Sequence, residues 1–115
     1  MQLSIHARGI ELTDSIKGFA YDKIFAALER LGNRVKKISL YLVDVNGPER
    51  GGQDKLCRVI VRIHNQDVLV LEDRDASVGA AIDRLGDRLS IAANRRVERA
   101  RRRRSFYRGD SQLDA

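Results

Sequence analysis

Arginine is the residue type whose spacing most clearly points to chemistry in this chain. Residues 95–104 contain seven Arg and one Glu, so this segment alone has a net charge of +6, equal to that of all 115 residues. The rest of the chain is therefore neutral in sum, which excludes an evenly basic, histone-like protein. Because a planar guanidinium donates two hydrogen bonds to one phosphate group, this run predicts contact with a polyanion at one place.

The arginines also form a row when residues 76–104 are drawn on a helical wheel. Five of them fall within roughly 60° of one another, opposite the apolar residues, and span about 27 Å along the axis. They are Arg84, Arg88, Arg95, Arg99 and Arg102. Such a row matches the repeated phosphates of an RNA backbone, although a nuclear localisation signal has a similar composition. For 76–94, where Asp83 and Asp87 accompany the row, a solvated face with internal ion pairs is an equally good interpretation.

Basic residues outside this row give weaker signals. The first predicted helix has Lys17, Lys23 and Arg30 on its outer side among acidic residues, a pattern more typical of solvation than of binding. It becomes significant only if this helix lies beside the last one, since the two would then form one basic surface.

The open face of the predicted sheet offers Arg58, Arg62 and Tyr41. A platform for unpaired RNA needs several aromatic side chains on which bases stack. A single Tyr among β-branched residues is more typical of packing.

The sequence contains no recognisable catalytic or metal-binding set. His6, His64 and Cys57 have neither CxxC nor HxxxH spacing, and Cys57 falls on the core side of its predicted strand. The Gly-Gly pair within 46–54 lacks the G-K-[ST] ending of a phosphate loop. We therefore expect no enzymatic activity and no cofactor or metal.

The hydrophobic spacing predicts six elements that would position these residues. Alternation of apolar and polar residues predicts four strands, at 2–8, 36–45, 55–63 and 68–72. Apolar repeats every three or four residues predict two helices, at 14–31 and 76–104. Thr13 and Asp75 are the predicted N-caps, and Gly32 the predicted left-handed stop of the first helix. We expect a loop over 46–54 and a disordered tail over 105–115.

The element order β-α-β-β-β-α predicts an α+β fold. Each helix has one apolar stripe, so both should cover the same face of a four-stranded sheet. Short connections predict an antiparallel meander for the last three strands, while the first strand, which leads into a helix, should pair in parallel with the second. We expect one α/β domain over 1–100, followed by a basic helix end and tail over 101–115.

The cysteine count and the chain start bear on location. One Cys excludes an intramolecular disulfide, and the first residues lack the basic-then-apolar order of a signal peptide, which favours a cytoplasmic protein. No apolar run approaches the roughly 20 residues of a membrane span, so no membrane contact is expected.

Three stretches resemble the ribosome hibernation promoting factor and ribosome-associated inhibitor family, also called the sigma-factor modulation protein family. They are 1–5 (Met-Gln-Leu-Ser-Ile) with Arg8, 11–13 (Glu-Leu-Thr), and 80–85 (Ala-Ala-Ile-Asp-Arg-Leu) with 87–89 (Asp-Arg-Leu). Their order and spacing follow the predicted strand–helix plan, and the resemblance covers about residues 1–100. It is to the short type, which lacks a further C-terminal domain.

This resemblance implies a fold similar to a double-stranded-RNA-binding domain with an added first strand. It implies a translation inhibitor that binds the small ribosomal subunit and its ribosomal RNA, between head and body, where messenger and transfer RNA would lie. Such a protein stores ribosomes inactive under stress, and we expect it to be a monomer off the ribosome. The family's RNA contacts come from basic residues on both helices; the matching positions are Lys23, Arg84, Arg88 and Arg95, and Arg99 and Arg102 extend the row.

The chain also departs from the family pattern. Gly79 replaces a usual aromatic residue, and 91–93 (Ile-Ala-Ala) replaces a stretch with a basic position. Two other functions stay open from the residues alone: a general module for structured RNA, and a protein–protein regulator whose arginine arm docks on an acidic partner.

Overall fold

The computed structural model describes the backbone of residues 2–45 and 54–114 and the side chains of residues 2–45 and 54–102. Its elements follow the predicted order. They are β1 (Leu3–Arg8), α1 (Asp14–Leu28), a 3₁₀ turn (Gly32–Arg34), β2 (Val35–Asp44), β3 (Lys55–Ile63), β4 (Val68–Asp75) and α2 (Val78–Asp114). The predicted α+β fold is confirmed, whereas most of the predicted 46–54 loop, residues 46–53, lies outside the described residues.

The four strands form one sheet in the order β1-β2-β3-β4, in which only the β1–β2 pair is parallel. The predicted antiparallel meander and parallel first pair are therefore both confirmed. In the β3–β4 connection, Asn65 and Gln66 adopt positive φ angles of 65° and 62°, which suit the twist of a tight hairpin. The backbone N–H of His64 donates to the Arg34 carbonyl, so this hairpin end is tied to the 3₁₀ turn.

The two faces of the sheet differ as the alternation predicts. One face buries apolar side chains such as Leu40 and Val59 against both helices, and the other faces solvent. From α2, the side chains of Ile82, Leu85 and Leu89 are fully buried in the same core. The strands and helices thus share one hydrophobic core, and the outer sides of the helices face solvent.

α1 begins as predicted, because the Thr13 hydroxyl accepts a hydrogen bond from the Ile16 N–H at 3.2 Å. It ends at Leu28, three residues before the predicted end. The N–H of Leu31 bonds to the Leu28 carbonyl, a tighter three-residue step, and Gly32 then adopts a φ of +49°. The predicted left-handed stop is therefore confirmed, but a tight turn precedes it.

Both predicted ends of α2 require correction. The N-cap is Ser77 and not Asp75: the Ser77 hydroxyl accepts from the Ala80 N–H at 3.3 Å, while Asp75 ends β4 and accepts from the Ser77 N–H at 3.0 Å. At the other end the helical backbone continues to Asp114, where a disordered tail was predicted over 105–115. This stretch contains no proline that would interrupt the helix. The 37 residues of α2 correspond to about 55 Å.

Candidate nucleic-acid interface

The two helices lie side by side, which is the condition under which the basic residues of α1 matter. Where they cross, Gly86 of α2 lies against the Lys23 side chain, so close that an added Cβ would be 3.0 Å from Lys23 Cε. The absence of a side chain at Gly86 therefore leaves room for the lysine stem to pass across α2. Lys23 and the arginines of α2 thus belong to one surface.

The charge of Lys23 on this surface is paired with acidic side chains. Its Nζ atom lies 2.9 Å from Asp83 Oδ1 and 3.0 Å from Asp87 Oδ1, both on α2. The hydrogen bond to Asp83, followed by that to Asp87, raises the pKa of Lys23 above its ordinary value. Lys23 is charged, but two carboxylates compensate its charge locally.

Arg84 is also held by partners within the protein, although its side chain is 49% exposed. Its Nη2 atom donates to the Arg74 carbonyl at 2.7 Å and to Asp75 Oδ2 at 2.6 Å. The backbone N–H of Ser77 is the main cause that lowers the pKa of Asp75, and the charge of Arg84 contributes further. The side chain of Arg84 is therefore fixed over the end of β4.

Arg88 repeats this arrangement at the next turn of α2. Its Nη1 atom donates to the Glu72 carbonyl at 2.6 Å and lies 3.4 Å from Asp73 Oδ2. The other oxygen of Asp73 lies 3.4 Å from Arg84, so one carboxylate bridges both guanidinium groups. In this half of the row the arginines thus pair with aspartates of β4, and not with Asp83 and Asp87 of their own helix.

Sequence reasoning missed Asp73 and Asp75 because β4 was predicted to end at Glu72. The strand instead continues to Asp75, and its alternation places both aspartates on the same face as Leu69 and Leu71, beneath α2. The signal was present in the sequence as a period-two pattern that continues in charged residues.

The C-terminal half of the row differs. Among the described residues, no carboxylate lies within 4.0 Å of the guanidinium of Arg95, Arg99 or Arg102. Together with Ile91, Asn94 and Glu98 they form one side of α2, which is open to solvent. We call Arg95, Arg99 and Arg102 the open arginine row, and Lys23, Arg84 and Arg88 the paired cations.

Glu98 lies on the same side of α2, but its carboxylate is close to two other arginines. Its Oε1 atom is 3.5 Å from Arg30 on α1 and 3.8 Å from Arg101. On the far side of α2, Arg96 pairs with Asp67 at 2.6 Å and closes the helix against the β3–β4 hairpin. The acidic residues near the open arginine row therefore have partners that leave the row exposed.

Cys57 and His64 have surroundings typical of structural residues. Burial raises the pKa of the Cys57 thiol to about 12, with a smaller contribution from the charge of Asp73. His64 Nε2 lies 2.9 Å from the Asn33 carbonyl, as suits a turn residue. Within 2–45 and 54–102 no three His, Cys, Asp or Glu side chains form a group that could hold a metal ion.

The arrangement that results is a two-helix surface with two electrostatic zones. The paired cations are oriented and compensated by carboxylates, whereas the guanidinium groups of the open arginine row, on the same helix, form no ion pair within 4.0 Å with any described residue. Such a surface can hold the phosphates of a nucleic acid, since Arg side chains donate to phosphate in a bidentate manner. In the described part of the chain, neither helix has the length and apolarity required to cross a bilayer.

Known structures and families agree with this architecture. The structure of the Thermus thermophilus Protein Y N-terminal domain is similar, with a TM-score of 0.66, 24% identity, and coverage of 83% of this chain and 98% of that one. A ribosomal subunit interface protein from Coxiella burnetii is similar with a TM-score of 0.67, 11% identity, and coverage of 85% and 99%. At these identities the two structures establish the fold, and the comparison with curated proteins found no match.

The family comparison covers most of the chain. The family model described as Sigma 54 modulation protein / S30EA ribosomal protein matches residues 3–104, which include both helices of the surface and all four strands. The family resemblance seen in the sequence is thereby confirmed. The chain belongs to the Sigma 54 modulation protein / S30EA ribosomal protein family, a family of ribosome-associated proteins.

Proposed function

We propose that this protein is a translation inhibitor of the hibernation type that binds the small ribosomal subunit. In this proposal the basic surface of α1 and α2 lies against ribosomal RNA and occupies the path of messenger and transfer RNA under stress. Membership of a ribosome-associated family supports the partner, and the two-helix surface supports the mode of contact. A factor bound to ribosomes would act in the cytoplasm.

The observation that carries the mechanism is the open arginine row. Three guanidinium groups are presented on one side of α2 without acidic partners among the described residues. A phosphate that reaches them need not displace a protein carboxylate, so each contact gains its full electrostatic value. The paired cations would need to exchange partners or bind through their remaining donors, and their fixed geometry suits them to setting the pose.

The two zones also suggest that different segments of the chain contribute to binding in different ways. We propose that residues 1–100 form the ribosome-binding domain, and that 101–115 extends the basic helix beyond the packed body. The last buried side chain of α2 in the described region is Val97, so the following turns extend past the core. The domain would fix the position on the subunit, and the extension would add salt-sensitive attraction.

Sedimentation with purified small subunits tests the proposal. The parent protein should travel with the subunit and should reduce translation initiation in a reconstituted system. The variant Arg95→Gln/Arg99→Gln/Arg102→Gln should lose most of the co-sedimentation and the inhibition together. A matched control, Lys36→Gln/Lys37→Gln/Arg74→Gln, removes three positive charges at exposed positions outside both helices and should co-sediment normally.

Three outcomes would contradict the proposal. Co-sedimentation of the open-row variant at the parent level would remove the mechanism. Equal loss of co-sedimentation in both triple variants would show that binding depends only on the net charge of the protein. Equal affinity for an unrelated RNA duplex would favour a general RNA-binding module.

A further inference from the structure

The face of the sheet that the helices leave uncovered has a charge distribution of its own. Strand alternation places the acidic Asp44, Asp73 and Asp75 on the helix side, together with one basic residue, Lys55, which pairs with Asp44. On the open side it places five basic side chains and one acidic one. The basic side chains are Arg8, Lys37, Arg58, Arg62 and Arg74, and the acidic one is Glu72. The open side of the sheet is therefore predominantly basic, and the helix side is predominantly acidic.

Most of these cations form no ion pair with any residue that the structure describes. Arg58 pairs with Glu72 across β3 and β4. The side chains of Arg8, Lys37 and Arg62 are exposed and form no ion pair with any described residue. An anionic partner on this face would therefore meet available donors.

An aromatic pair lies at the β1 edge of this basic face. His6 of β1 and Tyr41 of β2 are directly opposite in the parallel register, and their rings stack with centroids 5.0 Å apart and planes 18° apart. Tyr41 is half-buried and His6 is exposed, so the His6 ring packs against a tyrosine ring that is itself partly enclosed by the protein. The same cross-strand row continues to Arg58, and the neighbouring row places the hydroxyls of Ser4 and Ser39 beside the pair.

We infer that the open sheet face is a second RNA-binding surface, specific for an unpaired strand. A nucleobase would stack on the His6–Tyr41 pair, and Arg8, Arg58 and Arg62 would hold the adjoining phosphates. Stacking on sheet aromatics requires an unpaired base, because the bases of a duplex are already stacked. An acidic peptide would use the arginines but would leave the aromatic pair without a role.

This surface extends the proposed function and is independent of it in position. The helices cover one side of the sheet and this surface is the other, so both could be occupied at once. A protein held on ribosomal RNA by its helices could then retain a single-stranded RNA segment on its sheet.

A binding experiment that isolates the sheet tests the inference. A fluorophore-labelled oligouridine is titrated with the open-row variant Arg95→Gln/Arg99→Gln/Arg102→Gln, whose helix surface is weakened, and anisotropy is recorded. Adding His6→Ala/Tyr41→Ala should weaken binding by about 5- to 100-fold, the range for loss of one stacked base. Adding Tyr41→Phe instead, which keeps the ring, should leave binding unchanged.

Each alternative result has a defined meaning. Unchanged affinity after His6→Ala/Tyr41→Ala, or equal loss with Tyr41→Phe, would overturn the inference. Tighter binding of a polyglutamate peptide than of the oligonucleotide would overturn it in favour of a protein partner. If the alanine variant is unfolded by circular dichroism, Arg8→Gln/Arg62→Gln takes its place, and unchanged affinity there would equally refute the site. Co-sedimentation of the sheet variants with small subunits should stay normal, which separates failure of this inference from failure of the proposed function.

Discussion

The division of the α2 row into paired and unpaired arginines predicts two different salt dependences. Each Arg that neutralises a phosphate on binding contributes about 0.7–0.9 to the slope of log affinity against log salt. The open arginine row has three groups without acidic partners, so replacing all three with Gln should lower the slope by about 2–3. Between about 50 and 200 mM salt, this corresponds to a roughly 20- to 40-fold smaller change in affinity.

The comparison variant is Arg84→Gln/Arg88→Gln. These two arginines already contact Asp73 and Asp75, so a phosphate gains less from them and the slope should fall by less than about 1. The assay is anisotropy of a labelled protein titrated with small subunits, repeated with duplex RNA, over a series of salt concentrations. If the slope loss per arginine is the same in both variants, internal pairing does not shield Arg84 and Arg88, and the reasoning is refuted.

Three further predictions concern the framework that holds this surface. Leu89→Ala should lower the free energy of unfolding by about 2–5 kcal/mol because Leu89 is fully buried, whereas Ile91→Ala, at an exposed position, should change it by less than about 0.5 kcal/mol in denaturant titrations. Because the pKa of Asp75 is lowered by folding, the ionised carboxylate stabilises the folded state above the unfolded pKa, and this stabilisation is lost as the pH falls through the folded pKa. The difference in free energy of unfolding between the parent and Asp75→Asn should therefore disappear on acidification below the ordinary value of 3.8. A difference that stays constant with pH would contradict this assignment. Iodoacetamide should alkylate Cys57 slowly at neutral pH and rapidly in urea, because burial raises the pKa of the thiol to about 12; fast labelling of the folded protein would show that its strand opens.

The scaffold was largely predictable because its elements have regular hydrophobic periods. The alternation through β3 predicted its bounds at 55–63, and the apolar seam from Ile82 to Leu89 predicted which side of α2 is buried. Parallel pairing of β1 with β2 followed from the intervening helix. These features depend on residues close in sequence, which is why pattern reasoning found them.

The ion pairs that divide the arginine row were not predictable in the same way. Arg88 and Asp73 are 15 positions apart and meet only because α2 packs across the end of β4. A helical wheel displays residues of one helix and contains no information about a strand beneath it. The stacking of His6 on Tyr41 has the same origin, since it depends on the register of two strands separated by a helix.

The unbroken course of α2 couples the orientation of its basic extension to the packing of the core. Each residue of a helix advances the direction of its side chains by about 100°, so the open arginine row faces its partner only at the phase set by Leu85 and Leu89. Insertion of one residue after Val97, the last buried side chain of α2 among the described residues, would leave composition and charge nearly unchanged but would turn Arg99 and Arg102 to another side. In the proposed binding mode, recognition therefore depends on the rotational position of the arginines about the helix axis as much as on their number.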